Sequence, residues 1–284
     1  MNPRVGFMQG RYSPMVDGRI QSFPWNTWTD EFAHAQRSGF RLMEWTLDQE
    51  RLYANPLLRA DGQAQIRALC ASHGLAIPSL TGDCFMQAPF WRAHGEERAQ
   101  LQRDFVAIAH ACATVGIGII VVPLVDNGSC TTAEEQAVLG EFLDAQRPLL
   151  SALGLRVVFE SDLAPQALAR FIEGFDAQRF GVNYDMGNSA SLGFDAAEEL
   201  GAYGSRVFNV HIKDRLRGGT TVPLGTGNAD FGRIFAALAR TGYRGNYILQ
   251  TARATDGDHA GALERYRDMA AGWLSEHGLN EHAA

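Results

Sequence analysis

The chain has 284 residues, of which 46% are hydrophobic and 20% charged, and its formal net charge at pH 7 is −7. No stretch approaches the roughly 20 consecutive apolar residues that span a bilayer, which excludes a membrane-spanning protein. The negative charge, together with the lack of any long Lys or Arg run, argues against nucleic acid as a partner.

The N-terminal sequence and the cysteines both favour the cytoplasm. Residues 1–7 run directly into a strand-like segment and leave no room for a signal peptide with its cleavage site. The cysteines have irregular spacings and form no CxxC pair, which is typical of reduced thiols in a core. They are Cys70, Cys84, Cys112 and Cys130. We therefore expect a cytoplasmic protein without a disulfide framework or a zinc–cysteine site.

Short apolar, β-branched segments alternate along the chain with longer segments of helical period, as in consecutive βαβ units. The apolar segments predict eight strands, at residues 5–8, 41–45, 76–80, 118–123, 156–160, 180–185, 207–212 and 246–250. Their spacing of roughly 25 to 40 residues is the length of one strand plus a crossover helix.

Glycines mark the ends of several predicted helices, just before the next strand, where a left-handed conformation is expected. They are Gly39, Gly74, Gly116, Gly154 and Gly242. An open doubly wound sheet usually shows a glycine-rich phosphate turn after its first strand, and residues 8–12 do not form one. Eight units without a break in composition predict a single-domain (β/α)8 TIM barrel over residues 1–284.

Polar residues close or follow the eight predicted strands, at the end of the barrel where active sites of this fold lie. They are Gln9, Glu44, Thr81, Asp126, Glu160, Asp185, His211 and Gln250. Glu160, Asp185 and His211 close three successive strands and would face one another. Carboxylates with one imidazole suit Mn²⁺, Mg²⁺ or Co²⁺, and Zn²⁺ less well. We therefore predict one divalent metal ion at this end of the barrel.

Four segments carry a resemblance to a known family. They are Phe159-Glu160, Tyr184-Asp185-Met186-Gly187-Asn188, His211-Ile212-Lys213-Asp214, and Leu224-Gly225-Thr226-Gly227 with the following Asp230-Phe231. The sequence resembles the xylose isomerase-like TIM barrels, which include ketose 3-epimerases, hydroxypyruvate isomerases, inosose dehydratases and endonuclease IV. The resemblance covers nearly the whole chain and implies a carbohydrate substrate and a homodimer or homotetramer.

The resemblance also implies which residues bind the metal. In the family a Glu, an Asp, a His and a second Glu, on strands five to eight, bind one divalent ion, and the two glutamates act as acid and base. Carried over, the ligands are Glu160, Asp185, His211 and, in place of the second glutamate, Gln250. An amide oxygen can ligate a hard cation but cannot take up a proton. The chain departs from the ketose epimerases again at Asn188, where they often have a histidine.

The expected activity is that of a metal-dependent sugar or sugar-phosphate isomerase or epimerase, in which a proton is removed next to a carbonyl and the enediolate is stabilised by the cation. Glu160 is the expected base, and one base is enough for aldose–ketose isomerisation on a single face. Epimerisation needs a base on each face, and Glu44 is the available second carboxylate. An equally good interpretation of Glu44 is a salt bridge at the mouth of the barrel.

Two alternatives remain open. The same enolate can expel a β-hydroxyl, which would make the protein a dehydratase of a keto-sugar or keto-inositol. The glutamine at position 250 also leaves open a non-catalytic sugar-binding barrel. A repair nuclease is disfavoured, because the chain is acidic and lacks the extra His and Glu ligands of a three-metal site.

Several residues of the predicted βα loops are candidates for substrate binding. Arg11, Lys213, Arg217 and Arg253 suit a phosphate, a carboxylate or sugar hydroxyls, and Asn188 follows the Asp185 turn. The backbone of Gly225-Thr226-Gly227 would either donate N–H groups to an anion or form a tight turn before Asp230.

Two predicted loops carry an unusual number of aromatic residues, which would roof the substrate pocket or pack at a subunit interface. Trp25 and Phe85 are the candidates for substrate contact. Their companions are Phe23 and Trp28 in the first loop, and Met86, Phe90 and Trp91 in the second.

Overall fold

A computed structural model describes residues 2–280 and contains a closed barrel of eight parallel strands. The barrel strands are β1 (Val5–Met8), β2 (Leu42–Thr46), β3 (Ala76–Thr81), β4 (Ile119–Leu124), β5 (Arg156–Ser161), β6 (Phe180–Asp185), β7 (Val207–Ile212) and β10 (Tyr247–Leu249). The barrel closes where β1 pairs with β10, with Val5 opposite Tyr247. Because all eight strands are parallel, their carboxyl ends meet at one mouth.

Helices follow the strands and cover the barrel. They are α1 (Asp30–Arg37), α2 (Ala60–His73), α3 (Asp83–Gln87), α4 (Gly95–Val115), α5 (Ala133–Ala152), α6 (Pro165–Glu173), α7 (Met186–Leu192), α8 (Ala196–Tyr203), α9 (Phe231–Thr241) and α10 (His259–Glu276). Their apolar faces bury side chains against the outer surface of the sheet, as Phe105 and Ile108 do on α4. Within residues 2–280, no helix has both the length and the apolar character needed to cross a membrane.

The structure confirms the TIM barrel and all eight predicted strands. The predicted bounds of β1, β6 and β7 agree with the observed ones, and the others differ by one residue at one or both ends. The glycines that end the predicted helices have positive φ, including Gly74 at 60° and Gly116 at 87°. This backbone conformation is easily adopted only without a Cβ atom, which explains the regular punctuation.

Two short strands were not predicted from the sequence. β8 (Asp214–Arg215) and β9 (Thr221–Val222) form an antiparallel ribbon in the loop after β7. Each strand has two residues, too few for an alternating pattern to identify it. The ribbon lies at the mouth of the barrel and brings Arg215 within hydrogen-bonding distance of Asn188.

The glycine-rich segment after the ribbon forms a tight turn. The backbone N–H groups of Gly225 and Gly227 donate to the Asp214 carboxylate at 2.9 Å, and that of Ala229 donates to it at 3.0 Å. Asp230 then caps α9 by accepting from the N–H of Arg233. Of the two interpretations of this segment, the structure supports the turn, because Asp214 already occupies these donors.

Candidate functional site

A cavity of about 420 Å³ opens at the carboxyl ends of the barrel strands, a volume that accommodates a small sugar. Its wall contains polar residues from seven βα loops or strand ends and few large apolar side chains. They include Arg11, Gln21, Asp83, Glu160, Asn188, Lys213, Arg215 and Gln250.

Glu160 lines this cavity, and Asp185 and His211 lie next to it outside the described cavity wall, each residue at the end of its own strand. One potential ligand atom of each residue lies within 4.8 Å of the other two. His211 Nδ1 is 3.2 Å from Glu160 Oε2 and 3.8 Å from Asp185 Oδ2. All three side chains are buried. The three neighbouring strands thus bring the predicted ligand atoms to one point.

Glu44 lies beside His211, on the side of the imidazole ring away from Glu160. Its Oε1 is 2.7 Å from His211 Nε2, and the carboxylate also accepts from Ser79, Thr81 and Asn209. Glu44 is fully buried and is not part of the cavity wall formed by the described residues. Since four donors engage its two oxygens, the geometry favours a role in holding His211 over the expected role as a second base.

The charges of this cluster depend on one another. Burial alone would lower the pKa of His211, but Glu44, Asp185 and Glu160 raise it well above its usual value. Burial alone would raise the pKa of Glu44, but His211 and the hydrogen bonds from Ser79 and Thr81 lower it. Glu44 is therefore ionised, accepts from Nε2, and leaves Nδ1 as the nitrogen that faces the other two carboxylates.

Asp185 is also kept ionised. Burial opposes its charge, but the Lys213 ammonium and His211 outweigh burial and lower the pKa of Asp185 to about 2. Lys213 Nζ lies 3.2 Å from Asp185 Oδ2. The same carboxylate accepts from the Asn188 backbone N–H as the N-cap of α7, so its position is fixed from two directions.

Lys213 connects Asp185 to Gln250 and Asn188. Its Nζ donates to Gln250 Oε1 at 3.2 Å and to Asn188 Oδ1 at 3.3 Å. Asn188 also accepts from Arg215 and donates to Glu160 Oε1 at 2.5 Å. The structure thus brings Gln250, Asn188 and Lys213, all expected at the site, into one hydrogen-bonded group with Glu160.

Two asparagines inside the barrel were missed by the sequence analysis. Asn183 donates to Glu160 Oε2 at 2.8 Å, and Asn209 donates to both Asn183 and Glu44. Each lies two residues before a predicted ligand on the same strand. Because side chains alternate faces along a strand, that spacing alone places them on the inner face.

Gln21 and Asp83 were also missed, because Gln21 is in a loop and Asp83 begins the short helix α3. Gln21 Nε2 donates to Asp83 Oδ2 at 2.7 Å, and Gln21 Oε1 accepts from Gln250 at 2.7 Å. Arg11, which was expected, donates to the same Gln21 oxygen at 3.3 Å and to the Ile20 carbonyl. No sequence periodicity could have identified these contacts, since they depend on how the loops fold over the mouth.

Four other candidate residues lie away from the described cavity wall. Arg217 is exposed and lines a separate groove beside α7 and α9. Arg253 donates to the carbonyls of Gly10 and Ser13 and so supports the loop after β1. The Arg51 guanidinium lies 3.9 Å from the centre of the Trp25 ring, and Phe85 packs against Phe105.

Most of the loop aromatic residues belong to the hydrophobic core. Phe23, Trp28, Phe90 and Trp91 are buried, and of the second loop Met86 reaches the described cavity wall. Phe90 packs edge-on against Phe142 of α5. The aromatic residues therefore fix the loops to the barrel and its helices, and polar side chains form the cavity.

The donor set fits a divalent cation. Two carboxylates and an imidazole nitrogen converge, and the second nitrogen of the imidazole is bound to a carboxylate, which is the arrangement that orients histidine ligands in metal sites. Lys213 contacts oxygens of Asp185 and Gln250 and would repel a cation from that side. A bound cation would therefore be held chiefly by Glu160, Asp185 and His211.

Comparisons with known proteins agree with the fold. The family model described as "xylose isomerase-like TIM barrel" matches residues 32–277. An L-ribulose-5-phosphate 3-epimerase UlaE of Escherichia coli O1:K1 is 24% identical over 270 residues, covering 90% of this chain and 93% of that protein.

Two solved structures share the fold. D-allulose 3-epimerase from Methylomonas sp. in complex with D-allulose has a TM-score of 0.73 at 15% identity, covering 95% of this chain and 97% of that one. The IOLI protein with a bound zinc atom has a TM-score of 0.74 at 15% identity, covering 96% and 99%. The matched family model spans most of the barrel, and the chain belongs to the xylose isomerase-like TIM barrel family.

Proposed function

We propose that this chain is a metal-dependent isomerase of ketoses or ketose phosphates, and specifically a 3-epimerase. The observation that carries this proposal is the convergence of Glu160, Asp185 and His211 at the point where Glu160 lines a polar cavity of sugar size. The names of its relatives support the substrate class, because two of them are ketose 3-epimerases.

Glu160 is the proposed base. Hydrogen bonds from Asn183 and Asn188 fix both oxygens of its carboxylate, which lies at the cavity wall. When the carbon next to a ketose carbonyl lies against this carboxylate, Glu160 takes up its proton and an enediolate forms. A divalent cation, with Mn²⁺ or Mg²⁺ as the proposed ions, would stabilise the negative charge on the substrate oxygens.

The remaining polar wall would bind and orient the sugar. Asn188, Lys213 and Arg215 present amide and cationic groups on one side of the cavity, and Arg11 and Gln21 do so on the other. Arginine and lysine suit the phosphate of a ketose phosphate as well as hydroxyl groups. A cytoplasmic location and an assembly of two or four chains remain predictions from the sequence.

The activity is tested with three ketoses, each incubated with the protein and Mn²⁺ in D₂O and followed by proton NMR. The probes are L-ribulose 5-phosphate, L-ribulose and D-allulose. We expect the C3 epimer of at least one probe to appear with deuterium at C3, and Glu160→Gln to reduce the rate at least about 100-fold, as loss of a general base does. The proposal is refuted if no probe is converted and no probe takes up deuterium.

The cation is tested separately, by calorimetric titration of chelator-treated protein with Mn²⁺ and Mg²⁺. We expect saturable binding that Glu160→Gln abolishes and Gln250→Glu strengthens, because the second change adds a carboxylate at the fourth expected ligand position. Glu173→Gln, on the exposed face of α6, is the matched control and should bind as the wild type does. If neither ion binds, the metal-dependent part of the proposal is wrong.

A further inference from the structure

We propose that Asp83 is a second catalytic acid–base group, facing Glu160 across the substrate. This inference rests on the proposed epimerase function. Inversion at a carbon requires proton removal on one face and delivery on the other. The amide of Gln250 cannot exchange a proton with the substrate at neutral pH. A two-base epimerase on this scaffold therefore needs a carboxyl group from elsewhere in the cavity.

Asp83 is placed at the cavity by the end of β3. The strand stops at Thr81, Gly82 follows, and Asp83 is the first residue of α3. Asp83 and Glu160 line the same cavity. β4 is the one strand between β3, which Asp83 follows, and β5, which carries Glu160. The side chain is buried, so it is shielded from bulk water although it reaches the cavity.

A hydrogen-bonded relay connects Asp83 to position 250. Gln21 donates to Asp83 Oδ2 through Nε2, and Gln250 donates to Gln21 Oε1, both at 2.7 Å. Asp83 Oδ1 accepts no hydrogen bond from the described part of the chain. One oxygen of the carboxyl is therefore oriented by Gln21, and the other is available to the substrate.

The other carboxyl groups near the mouth are less suited to this role. Glu44 has both oxygens occupied and lies outside the described cavity wall. Asp185 is paired with Lys213 and faces His211. Asp126 is exposed at the rim of the cavity, in contact with solvent.

The protonation behaviour of Asp83 suits proton transfer near neutrality. Burial raises the pKa of Asp83 to about 7, the hydrogen bond from Gln21 opposes this, Asp48 and Glu160 add to it, and Lys213 opposes it. A group with a pKa near the working pH can both accept and donate a proton.

The proposed step conserves atoms and electrons. Glu160 takes the proton from C3, the C–H electron pair forms the C2–C3 double bond, and the carbonyl pair moves to O2. The Asp83 carboxyl then gives its proton to the opposite face of C3, where the C2–C3 double-bond pair forms the new C–H bond, and an O2 electron pair restores the carbonyl. The reverse direction begins with proton removal by Asp83. After each turnover both carboxyl groups return to their starting state by exchange with water.

The test compares deuterium exchange with inversion in D₂O for both C3 epimers of each ketose probe named above. In Asp83→Asn, we expect inversion to fall at least about 100-fold, while exchange continues in the epimer whose C3 proton faces Glu160. Glu160→Gln removes a proposed cation ligand as well as the base, so both exchange and inversion should fall in either epimer. Asparagine keeps an oxygen that accepts from Gln21, so this variant preserves the relay.

Three measurements separate a catalytic role from a structural one. Asp83→Asn should bind Mn²⁺ with wild-type affinity within about threefold, because Asp83 contacts none of the proposed ligands. It should unfold at a temperature no lower than that of the wild type, because it removes a buried ionisable group. Asp83→Glu should recover part of the inversion. Asp61→Asn, exposed on α2, controls for the loss of one aspartate.

Three other outcomes would each refute a part of the proposal. If Asp83→Asn inverts the ketose within threefold of the wild-type rate, Asp83 is not the second acid–base group. If it loses exchange from both epimers although it is folded and binds Mn²⁺, the division of faces is wrong. If the wild type itself neither exchanges nor inverts any probe, the epimerase function fails, and the inference fails with it.

Discussion

The carboxylates at the mouth of this barrel differ chiefly in how many donors each one meets. Glu44 accepts from Ser79, Thr81, Asn209 and His211, whereas Asp83 accepts from Gln21 alone among the described residues. Glu44 also lies outside the described cavity wall, whereas Asp83 lines the cavity and has one oxygen that accepts no hydrogen bond from the described residues. These surroundings distinguish Glu44, which holds His211, from Asp83, which is proposed to transfer a proton.

Replacing Glu44 by glutamine should weaken Mn²⁺ binding about 10- to 100-fold, the usual effect of losing a carboxylate that orients a histidine ligand. The carboxylate holds a proton on Nε2 of His211 and leaves Nδ1 to face Glu160 and Asp185. A neutral amide accepts this hydrogen bond more weakly and therefore orients the imidazole less firmly. Calorimetry of the chelator-treated variant measures the change.

Glu199→Gln is the matched control for this prediction. Glu199 is also buried and accepts from Tyr184, Ser189 and Tyr203, but it has no contact with His211. Both variants should lose stability, and only Glu44→Gln should lose metal affinity. Equal affinities in the two variants would show that Glu44 does not orient the imidazole.

At the scale of elements, the barrel and its floor were predictable from the sequence because both follow from periodicity. β6 and β7 alternate sides, which puts Asp185 and His211 on the inner face and Tyr184 against α8 on the outer face. The helix-ending glycines fixed where each unit stops. The sequence therefore predicted that Glu160, Asp185 and His211 lie close together.

The upper wall was not predictable in the same way. Gln21 is in a long loop, and Asp83 begins a five-residue helix, where no alternation or helical period applies. The aromatic residues of the same loops were expected to roof the pocket or to pack at a subunit interface, although most of them pack into the core. Which loop side chains face the cavity is decided by long-range packing that a sequence pattern does not record.

The loop after β7 is held by the carboxylate of Asp214. Asp214→Asn should lower the free energy of unfolding by about 2 to 3 kcal/mol, because the buried Asp214 carboxylate accepts from three backbone N–H groups. The asparagine amide would point its own N–H group at one or more of these backbone N–H donors. Urea denaturation measures the change.

Asp195→Asn provides the comparison for Asp214. Asp195 also accepts from backbone N–H groups, as the N-cap of α8, but it is much more exposed. Asparagine caps helices about as well as aspartate, so this variant should change stability by less than about 0.5 kcal/mol. Similar losses in the two variants would mean that burial of Asp214 has no special effect.

For the whole molecule, the buried carboxyl groups determine how stability varies with pH. Burial raises the pKa of Glu31 from 4.5 to about 7, against hydrogen bonds from Gly10, Ser13 and Tyr12. Burial likewise raises the pKa of Asp83 to about 7. Between pH 4.5 and 7 the folded state therefore holds protons that the unfolded chain releases, and stability falls as the pH rises through this range.

The contribution of Glu31 can be isolated with Glu31→Gln. One pKa unit corresponds to about 1.4 kcal/mol, so the wild type should lose on the order of 2 to 3 kcal/mol relative to the variant between pH 5 and pH 8. Urea denaturation at pH 5, 6, 7 and 8, with chelator present, gives both curves, and Asp83 contributes equally to each. Glu141→Gln, on α5, should follow the wild type. Parallel curves for the wild type and Glu31→Gln would show that Glu31 ionises in the folded protein as it does in the unfolded chain.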